Sequence, residues 1–439
     1  MPPSISPARA RAVEVLGDVL RHGARAAPLL VARGQDLSPE DQGLMREVVL
    51  GVLRNKLRLD AEIASVSRLP LDRLAPRLLE ILEIGLYQIR HLDRVPAYAA
   101  VDQAVQQARR AGGEGSAKLV NALLRSLQRR SDPPPEHHSG SPEELARAFS
   151  HPEFLVRRWL ERFGEMATRG ILSADNAASG LDLMTNPLRT TRGDLAAALK
   201  SEGIQVAPSA IAPLALTVES GNPIRSPLFA AGHFSIQDIG SQALALLLPP
   251  GERLVDLAAA PGGKTFAALF SDRARRVISL DRSAQRLRLL VDNARRLGAD
   301  GAMPAAGDFL APPLPAARFD RVLLDAPCSG TGTLRKNPEI RYRVTPEAIE
   351  RLSAMQEHAV EAAARLLAPG SYLLYSTCSL EQEENERVIE RVLARDGSLE
   401  PAAIAAPEGL EPFVRDSVFR MLPGPERDGF TAHLLRRKP

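Results

Sequence analysis

The stretch RLVDLAAAPGGKTFAALF, at residues 253–270, decides the fold of the second half of the chain. The apolar run RLVDL predicts a buried strand, and TFAALF predicts the helix that follows it. The turn between them contains Pro261, Gly262 and Gly263. Its glycines fall where a ligand would meet the N-terminus of the helix. The stretch therefore predicts a strand, a tight turn and a helix that together hold a small molecule.

The end of this turn is similar to the end of a phosphate-binding P-loop, because Gly263, Lys264 and Thr265 follow one another. The full pattern G-x-x-x-x-G-K-[ST] requires a glycine at the position of Ala258. A P-loop enzyme would also need a carboxylate that binds a metal ion. A nucleoside triphosphatase is therefore the least favoured interpretation of this turn.

Apolar runs and helical stretches alternate from about residue 240 onwards. The runs are RRVISLD (275–281), FDRVLLDAP (319–327) and SYLLYST (371–377). The helical stretches include SAQRLRLLVDNARRLG (283–298) and PEAIERLSAMQEHAVEAAARLL (346–367). Continuous apolar strands between helices predict an α/β domain with a mostly parallel, Rossmann-like sheet covered on both faces. Ligands of such sheets bind beyond the carboxyl ends of the strands.

The chain before residue 130 has a different pattern and predicts an all-helical domain. Apolar side chains recur there at helical spacing, as in Leu78, Leu79, Leu82, Leu86 and Ile89. Residues 91–96 and 111–116 are predicted loops. Residues 1–130 contain 20 Lys and Arg against 14 Asp and Glu, although the net charge of the whole chain is only +3. This basic bias suggests a polyanionic partner such as a nucleic acid.

The segment SDPPPEHHSGSPEE at 131–144 is predicted to be a linker, because prolines, serines and glycine interrupt any periodicity. His137 and His138 are interpreted as part of this linker and not as metal ligands. Residues 145–235 are predicted to form a small mixed α+β connecting domain. The α/β domain is predicted to comprise residues 236–439.

Composition narrows the class of protein further. The chain has 439 residues, 44% of them hydrophobic and 25% charged, which is typical of a soluble globular protein with two or three domains. No apolar run approaches the roughly 18 residues of a membrane helix. Two cysteines form no disulfide framework, and no C-x-x-C suggests zinc. We therefore expect a cytoplasmic protein without membrane or metal, and a monomer by default.

Two acidic residues follow the next strands of the predicted sheet. Asp281 ends the second strand, and Asp308 lies in GDFL after a short apolar stretch. Such side chains can accept hydrogen bonds from ribose hydroxyls and from an adenine amino group. Taken singly, each is as well explained as a strand-end or turn residue. Together with the glycine turn they predict a nucleoside pocket, and the absence of G-x-G-x-x-G disfavours NAD.

Both cysteines directly follow predicted strands. Cys328 lies in DAPCSGTGTLRKNPEIRYR (325–343), and Cys378 lies in YSTCSLEQEENE (375–386). A cysteine is usually a small buried apolar residue. Here both cysteines lie at the rim where ligands bind, which favours a chemical role for the pair.

The stretches VDLAAAPGGKT, DAPCSGTGT and YSTCS, in that order, resemble the RNA cytosine-5 methyltransferases that use S-adenosylmethionine. The chain is most similar to the bacterial small-subunit (16S) rRNA methyltransferase B family, also called Sun or Fmu. Its helical part resembles the antitermination factor NusB in AAVDQAVQQAR (99–109) and KLVNALLRSLQR (118–129). The family often has Cys at the position of Ala258 and Trp at that of Tyr342.

This resemblance implies a class I methyltransferase domain with S-adenosylmethionine as its cofactor. It implies that Cys378 attacks C6 of a cytosine, that Cys328 serves release of the methylated base, and that Asp325 pairs with the N3/N4 edge. Lys264 and the loop amides are expected to favour the attacking thiolate. The implied cofactor-binding residues are Ala258, Ala259, Ala260, Pro261, Gly262, Gly263, Lys264, Asp281, Arg286, Asp308 and Asp325.

The implied partner is 16S rRNA, held mainly through its phosphates. The residues expected to contact RNA are Arg335, Lys336, Arg341, Arg343, Lys118 and Arg125. For Lys118 and Arg125 a solvated helix face is an alternative, and Arg286 and Arg341 could equally be helix-face or surface charges. Two other functions remain open: a tRNA cytosine-5 methyltransferase, and a non-catalytic NusB-like RNA-binding or antitermination factor.

Overall fold

The computed structural model describes residues 5–130 and 140–439. The chain divides into two compact units, which we call the helical unit and the α/β unit. The helical unit comprises Met1–Ala177 and Leu334–Arg343, and the α/β unit comprises Ala178–Thr333 and Val344–Pro439. Most of the predicted linker, including His137 and His138, lies outside the described residues.

The described residues of the helical unit form helices and connecting turns, without a strand. The α-helices are α1 (Pro7–His22), α2 (Ala26–Gly34), α3 (Pro39–Ala64), α4 (Pro76–His91), α5 (Ala97–Gln128), α6 (Pro142–Ala148) and α7 (Glu153–Asn176). Buried aliphatic side chains of α1, α3, α4 and α5, among them Leu16, Leu53 and Leu124, form one core. The prediction of an all-helical first domain is confirmed.

Local sequence explains where these helices begin and end. Ser38 caps α3 by accepting a hydrogen bond from the amide of Asp41, and Pro39 fits the first helical turn. The loop predicted at 91–96 separates α4 from α5. The loop predicted at 111–116 is only a break within α5, where Gly112 and Gly113 leave helical geometry.

The second part of the helical unit includes residues that were predicted to belong to the connecting domain. The predicted connecting domain begins at residue 145, which lies inside α6. Helices α6 and α7 contact α3 and belong to the helical unit. Apolar side chains such as Leu155 and Trp159 are buried there, so packing within the helical unit stabilises these helices.

The segment Leu334–Arg343 also belongs to the helical unit, although it follows Cys328 closely in sequence. The Arg341 guanidinium is buried and donates hydrogen bonds to the main-chain oxygens of Arg54, Ser150 and Asp175 at 2.8–3.1 Å. Arg335 is also buried, and its carbonyl accepts a hydrogen bond from Arg54. The prediction of Arg335 and Arg341 as RNA contacts is therefore corrected, because charges enclosed by protein are not offered to phosphates.

We expect Arg341→Ala to lower the stability of the helical unit by about 3 kcal/mol, because three buried carbonyls would lose a charged donor. The matched control is Arg343→Ala, since Arg343 is exposed two residues away and should cost at most about 0.5 kcal/mol. Differential scanning calorimetry would compare the two variants. Equal unfolding temperatures would contradict the structural role of Arg341.

The α/β unit begins with a small antiparallel sheet. Its elements are β1 (Leu181–Thr185), α8 (Arg192–Ser201), β2 (Gln205–Pro208), β3 (Ala215–Ser220), α9 (Pro227–Ala230) and β4 (Phe234–Ile236). The strand order is β2-β3-β1-β4. Asn186, just after β1, donates to the carbonyl of Leu297 at 2.7 Å, which anchors this sheet within the α/β unit.

The rest of the α/β unit is a nine-stranded mixed sheet with helices. Its helices are α10 (Ile239–Leu246), α11 (Gly263–Phe270), α12 (Ala284–Leu297), α13 (Pro346–Leu366) and α14 (Glu386–Arg395). Its strands are β5 (Arg253–Asp256), β6 (Arg276–Asp281), β7 (Ala302–Ala306), β8 (Phe319–Asp325), β9 (Leu367–Thr377), β10 (Leu399–Pro401), β11 (Val414–Arg415), β12 (Val418–Met421) and β13 (Phe430–Arg437).

The order of the strands is β11-β12-β13-β9-β8-β5-β6-β7, with β10 beside β13. The five strands β9, β8, β5, β6 and β7 run parallel to one another. Strand β13 pairs with the outer side of β9 and runs antiparallel to it. The predicted Rossmann-like domain is thus confirmed, with an antiparallel edge that the sequence pattern did not reveal. The carboxyl ends of the five parallel strands meet at one edge, which positions the site described below.

No helix in the described ranges is long and apolar enough to cross a membrane.

Candidate active site

The glycine turn joins β5 to α11 and occupies the carboxyl edge of the sheet. Gly262 has a φ of 111°, and a Cβ atom there would lie 2.5 Å from the Phe266 ring. A side chain at this position is therefore excluded by both backbone conformation and space. The turn leaves the first amides of the eight-residue helix α11 pointing beyond the strand ends, where an anionic or polar group can be bound.

Asp281, at the end of β6, is joined to this turn. Its Oδ2 accepts a hydrogen bond from the amide of Ala260 at 3.2 Å, and its Oδ1 accepts one from the amide of Ser283 at 2.9 Å. Arg286 pairs with the same carboxylate at 3.1 Å and donates to the carbonyl of Ala260. Oδ1 keeps a further lone pair for a ligand hydroxyl. Arg286 thus braces the turn against Asp281.

Asp308 lies after β7, next to β6 in the sheet. Its Oδ1 accepts a hydrogen bond from the amide of Leu310 at 2.9 Å, as an ordinary turn aspartate does. The carboxyl group is half-buried and remains at the same edge as Asp281. Its place in the sheet suits a ligand contact, while its hydrogen bond serves the turn.

Lys264 and Asp325 form an ion pair at the centre of the edge. Lys264 Nζ lies 2.6 Å from Asp325 Oδ2, and Ser376 donates to Asp325 Oδ1 at 3.0 Å. Burial lowers the pKa of Lys264, but the ion pair and hydrogen bond with Asp325 outweigh this effect and raise the pKa above its ordinary value. Lys264 therefore stays positively charged and can stabilise a neighbouring anion.

The two cysteines meet although 50 residues separate them. Cys328 follows β8 and Cys378 follows β9, and these strands are parallel neighbours. Their Sγ atoms lie 3.3 Å apart, and both thiols are free and half-buried. The hydrogen bond to Cys378 and burial raise the pKa of Cys328 well above its ordinary value. Cys328 is therefore a thiol at neutral pH and can donate to its neighbour.

Sequence analysis missed two buried carboxylates of this site. Asp256 ends strand β5, just before the turn, and accepts a hydrogen bond from Thr265 at 2.8 Å. Burial raises the pKa of Asp256 to about 6. Glu384 lies behind the two cysteines and contacts the serines that follow them, Ser329 and Ser379. Its only sequence signal was the acidic run EQEENE, in which nothing marks the residue that points inward.

The remaining predicted RNA contacts belong to the helical unit. Lys118 and Arg125 are exposed on α5, as the predicted polar face requires. Arg343 is exposed and Lys336 is half-buried. These four residues stay predictions for RNA binding.

The edge fits S-adenosylmethionine by the chemistry of its groups. The Gly262 turn, which a Cβ would obstruct, can bring main-chain amides close to a carboxylate. Asp281 offers a spare acceptor to ribose hydroxyls, and Asp308 stands one strand further along for a base amino group. In the described part of the chain, no cluster of three or more His, Cys, Asp or Glu could hold a metal ion.

Comparison with known families agrees with this fit. The family model described as 16S rRNA methyltransferase RsmB/F matches residues 243–436. The NusB family model matches residues 6–129, and the ferredoxin-like domain of RsmF/B-like methyltransferases matches residues 151–225. A solved methyltransferase homologue from Pyrococcus horikoshii is similar at a TM-score of 0.57 and 28% identity, over 68% of this chain and 100% of its own.

Fold and site together define a Rossmann-like methyltransferase that carries a NusB-like helical domain. The probable ribosomal RNA small subunit methyltransferase B of Synechocystis is 35% identical over 91% of this chain and 92% of its own length. Its counterpart in Bacillus subtilis is 33% identical over 93% of both chains. The chain therefore belongs to the ribosomal RNA small subunit methyltransferase B family, and it is an S-adenosylmethionine-dependent rRNA methyltransferase.

Proposed function

We propose that this enzyme methylates C5 of a cytosine in 16S rRNA through a covalent bond between Cys378 and C6 of the base. The observation that carries the proposal is the pair of thiols 3.3 Å apart at the ends of β8 and β9. A methyltransferase that acts on a nitrogen or oxygen needs no thiol nucleophile, because those atoms attack a methyl group themselves. Carbon C5 of cytosine is a poor nucleophile and needs covalent activation.

The residues divide the reaction between them. The Cys378 thiolate adds to C6, which makes C5 enamine-like and nucleophilic. Bound S-adenosylmethionine supplies the electrophilic methyl group that C5 takes. A base from solvent then takes the proton at C5, and the C5–H electron pair restores the C5=C6 double bond. The C6–S bond breaks, and its electron pair returns to the Cys378 sulfur. Cys328, as the neighbouring thiol, serves this release step.

Two charged residues support the attack in this proposal. Lys264 stays positively charged and would stabilise negative charge on the attacking sulfur. Asp325, held by Lys264 and Ser376, would accept a hydrogen bond from the N4 amino group of the cytosine. As the sulfur adds, N3 takes a proton, and the new N3–H would donate a second hydrogen bond to the Asp325 carboxylate. A contact that forms only as the adduct forms lowers the barrier to addition.

The cofactor and the RNA would be held by different parts of the chain. The turn at Ala258–Lys264, with Asp281 braced by Arg286 and with Asp308, would hold S-adenosylmethionine. Exposed basic residues of the helical unit, such as Lys118 and Arg125, would contact phosphates of the RNA. The enzyme would act in the cytoplasm, and a monomer remains the expectation.

The proposal is tested by identifying the product. Purified protein and S-adenosylmethionine would be mixed with unmodified 16S rRNA, 23S rRNA or tRNA, and the RNA would be digested to nucleosides for mass spectrometry. We expect 5-methylcytidine from 16S rRNA only. A methyl group on another atom would refute the C5 assignment, and 5-methylcytidine in tRNA alone would support the tRNA enzyme instead. RNA binding without methylation by the intact protein would favour a non-catalytic factor.

A further inference from the structure

One buried carboxylate connects the loops that carry the two cysteines. Glu384 Oε1 accepts a hydrogen bond from the amide of Ser329 at 2.8 Å. Its Oε2 accepts hydrogen bonds from the hydroxyls of both Ser329 and Ser379. Ser329 directly follows Cys328, and Ser379 directly follows Cys378. Each cysteine is therefore followed directly by a serine that donates a hydrogen bond to the same carboxylate.

The position of Glu384 is itself determined by its surroundings. The residue is fully buried, and its carbonyl accepts a hydrogen bond from the hydroxyl of Tyr375 at 2.6 Å. Gln356, on α13, donates to Oε1 at 3.2 Å and also to the carbonyl of Pro327 at 2.9 Å. Pro327 precedes Cys328 in the chain. Hydrogen bonds from strand β9 and from helix α13 thus fix the position of Glu384, to which both cysteine loops are bound.

A buried carboxylate is an expensive way to fill this space. Burial raises the pKa of Glu384, whereas the hydrogen bonds from Ser329 and Ser379 oppose that rise. An apolar side chain would avoid this desolvation cost. What an apolar side chain does not provide is an acceptor for donors from two separate loops. The carboxylate of Glu384 therefore joins the two cysteine loops to each other, which packing by an apolar side chain would not do.

We propose that Glu384 is the positioning residue that holds Cys328 and Cys378 at reacting distance from each other. It contacts neither thiol and acts through Ser329 and Ser379. The inference rests on the proposed function for the chemical importance of the pair. The geometry itself is independent of that function and can be measured without RNA.

The test uses Glu384→Ala and Glu384→Gln in the full chain. The rate at which phenylarsine oxide is captured reports whether the two thiols are close together, because one arsenic atom bonds to two neighbouring sulfurs with loss of water. We expect Glu384→Ala to capture the reagent about ten-fold more slowly and to lower single-turnover methylation about 100-fold, as expected for groups displaced by about 1 Å. The affinity for S-adenosylmethionine should not change, since the side chain of Glu384 bonds to the loops of the two cysteines and not to the glycine turn.

The conservative variant separates positioning from packing. The amide oxygen of Glu384→Gln still accepts from the amide of Ser329, and its NH₂ group can donate to the serine hydroxyls. We therefore expect Glu384→Gln to recover most of the arsenic capture rate and methylation. The matched control is Glu390→Ala, because Glu390 is an exposed acid on α14 and should behave like the unmodified protein.

Two results would overturn the inference. One is a folded Glu384→Ala variant that captures the reagent at the unmodified rate. If that variant does not fold, the double variant Ser329→Ala/Ser379→Ala removes both hydroxyl contacts, and an unchanged capture rate there would overturn it equally. If Glu384→Ala slows arsenic capture but the intact enzyme makes no 5-methylcytidine, the positioning role stands and the proposed function fails.

Discussion

Replacing Cys378 by alanine is expected to lower methylation of 16S rRNA by on the order of 10⁴-fold, because C5 would lose its covalent activation. Replacing Cys328 by alanine is expected to leave RNA covalently attached to the protein. Under the proposed mechanism, Cys378 would still add to C6 in that variant, but release would be impaired. The measurement is a denaturing gel of each variant after incubation with S-adenosylmethionine and unmodified 16S rRNA.

The two variants control for each other, and the double variant Cys328→Ala/Cys378→Ala should form no adduct. An adduct with Cys378→Ala and none with Cys328→Ala would mean that the nucleophile has been assigned to the wrong cysteine. The 3.3 Å contact does not decide this direction, because both sulfurs lie at strand ends. Our assignment rests on the resemblance of YSTCS to the segment that carries the attacking cysteine in the family.

Replacing Asp325 by asparagine is expected to lower single-turnover methylation by about 10²- to 10³-fold, the usual cost of losing a preorganised electrostatic contact. The substitution keeps the shape of the side chain. It removes the negative charge that pairs with Lys264 at 2.6 Å and that would stabilise the protonated N3 of the adduct. Rapid-quench kinetics at saturating S-adenosylmethionine would separate this effect from cofactor binding.

Asp320→Asn is the matched control, because Asp320 lies on the same strand, β8, and accepts main-chain hydrogen bonds from Glu252 and Arg253 away from the cysteines. It should leave the rate within about two-fold, as expected for a residue outside the site. Ser376→Ala should have an intermediate effect, since it removes one hydrogen bond to Asp325. A normal methylation rate in Asp325→Asn would exclude this residue from substrate activation.

The sequence was informative wherever a property is local. Periodicity predicted the helices of the first domain, and continuous apolar runs predicted β5, β6, β8 and β9 within a few residues. Two glycines after a proline predicted the tight turn in which Gly262 has a positive φ. The alternation of strands with helices placed Asp281 and both cysteines at one edge, because parallel strands present their carboxyl ends together.

Other features depended on contacts between distant parts of the chain. Arg341 reads as a basic residue near a catalytic loop, yet it is buried against carbonyls of Arg54, Ser150 and Asp175 in the helical unit. Periodicity cannot show that a ten-residue segment leaves one unit to pack in the other. The contacts of α6 and α7 with α3 could not be predicted for the same reason, since α3 is far away in sequence.

The sequence alone therefore determined the two kinds of domain, the glycine turn and the presence of two cysteines at strand ends. Their chemistry follows from residue type and strand position, which are local. Only the tertiary structure decided that Lys264 pairs with Asp325, that the sulfurs meet at 3.3 Å, and that Glu384 connects their loops. Such distances join residues that are tens of positions apart, and they are decided by how strands pair and side chains pack, which no local pattern encodes.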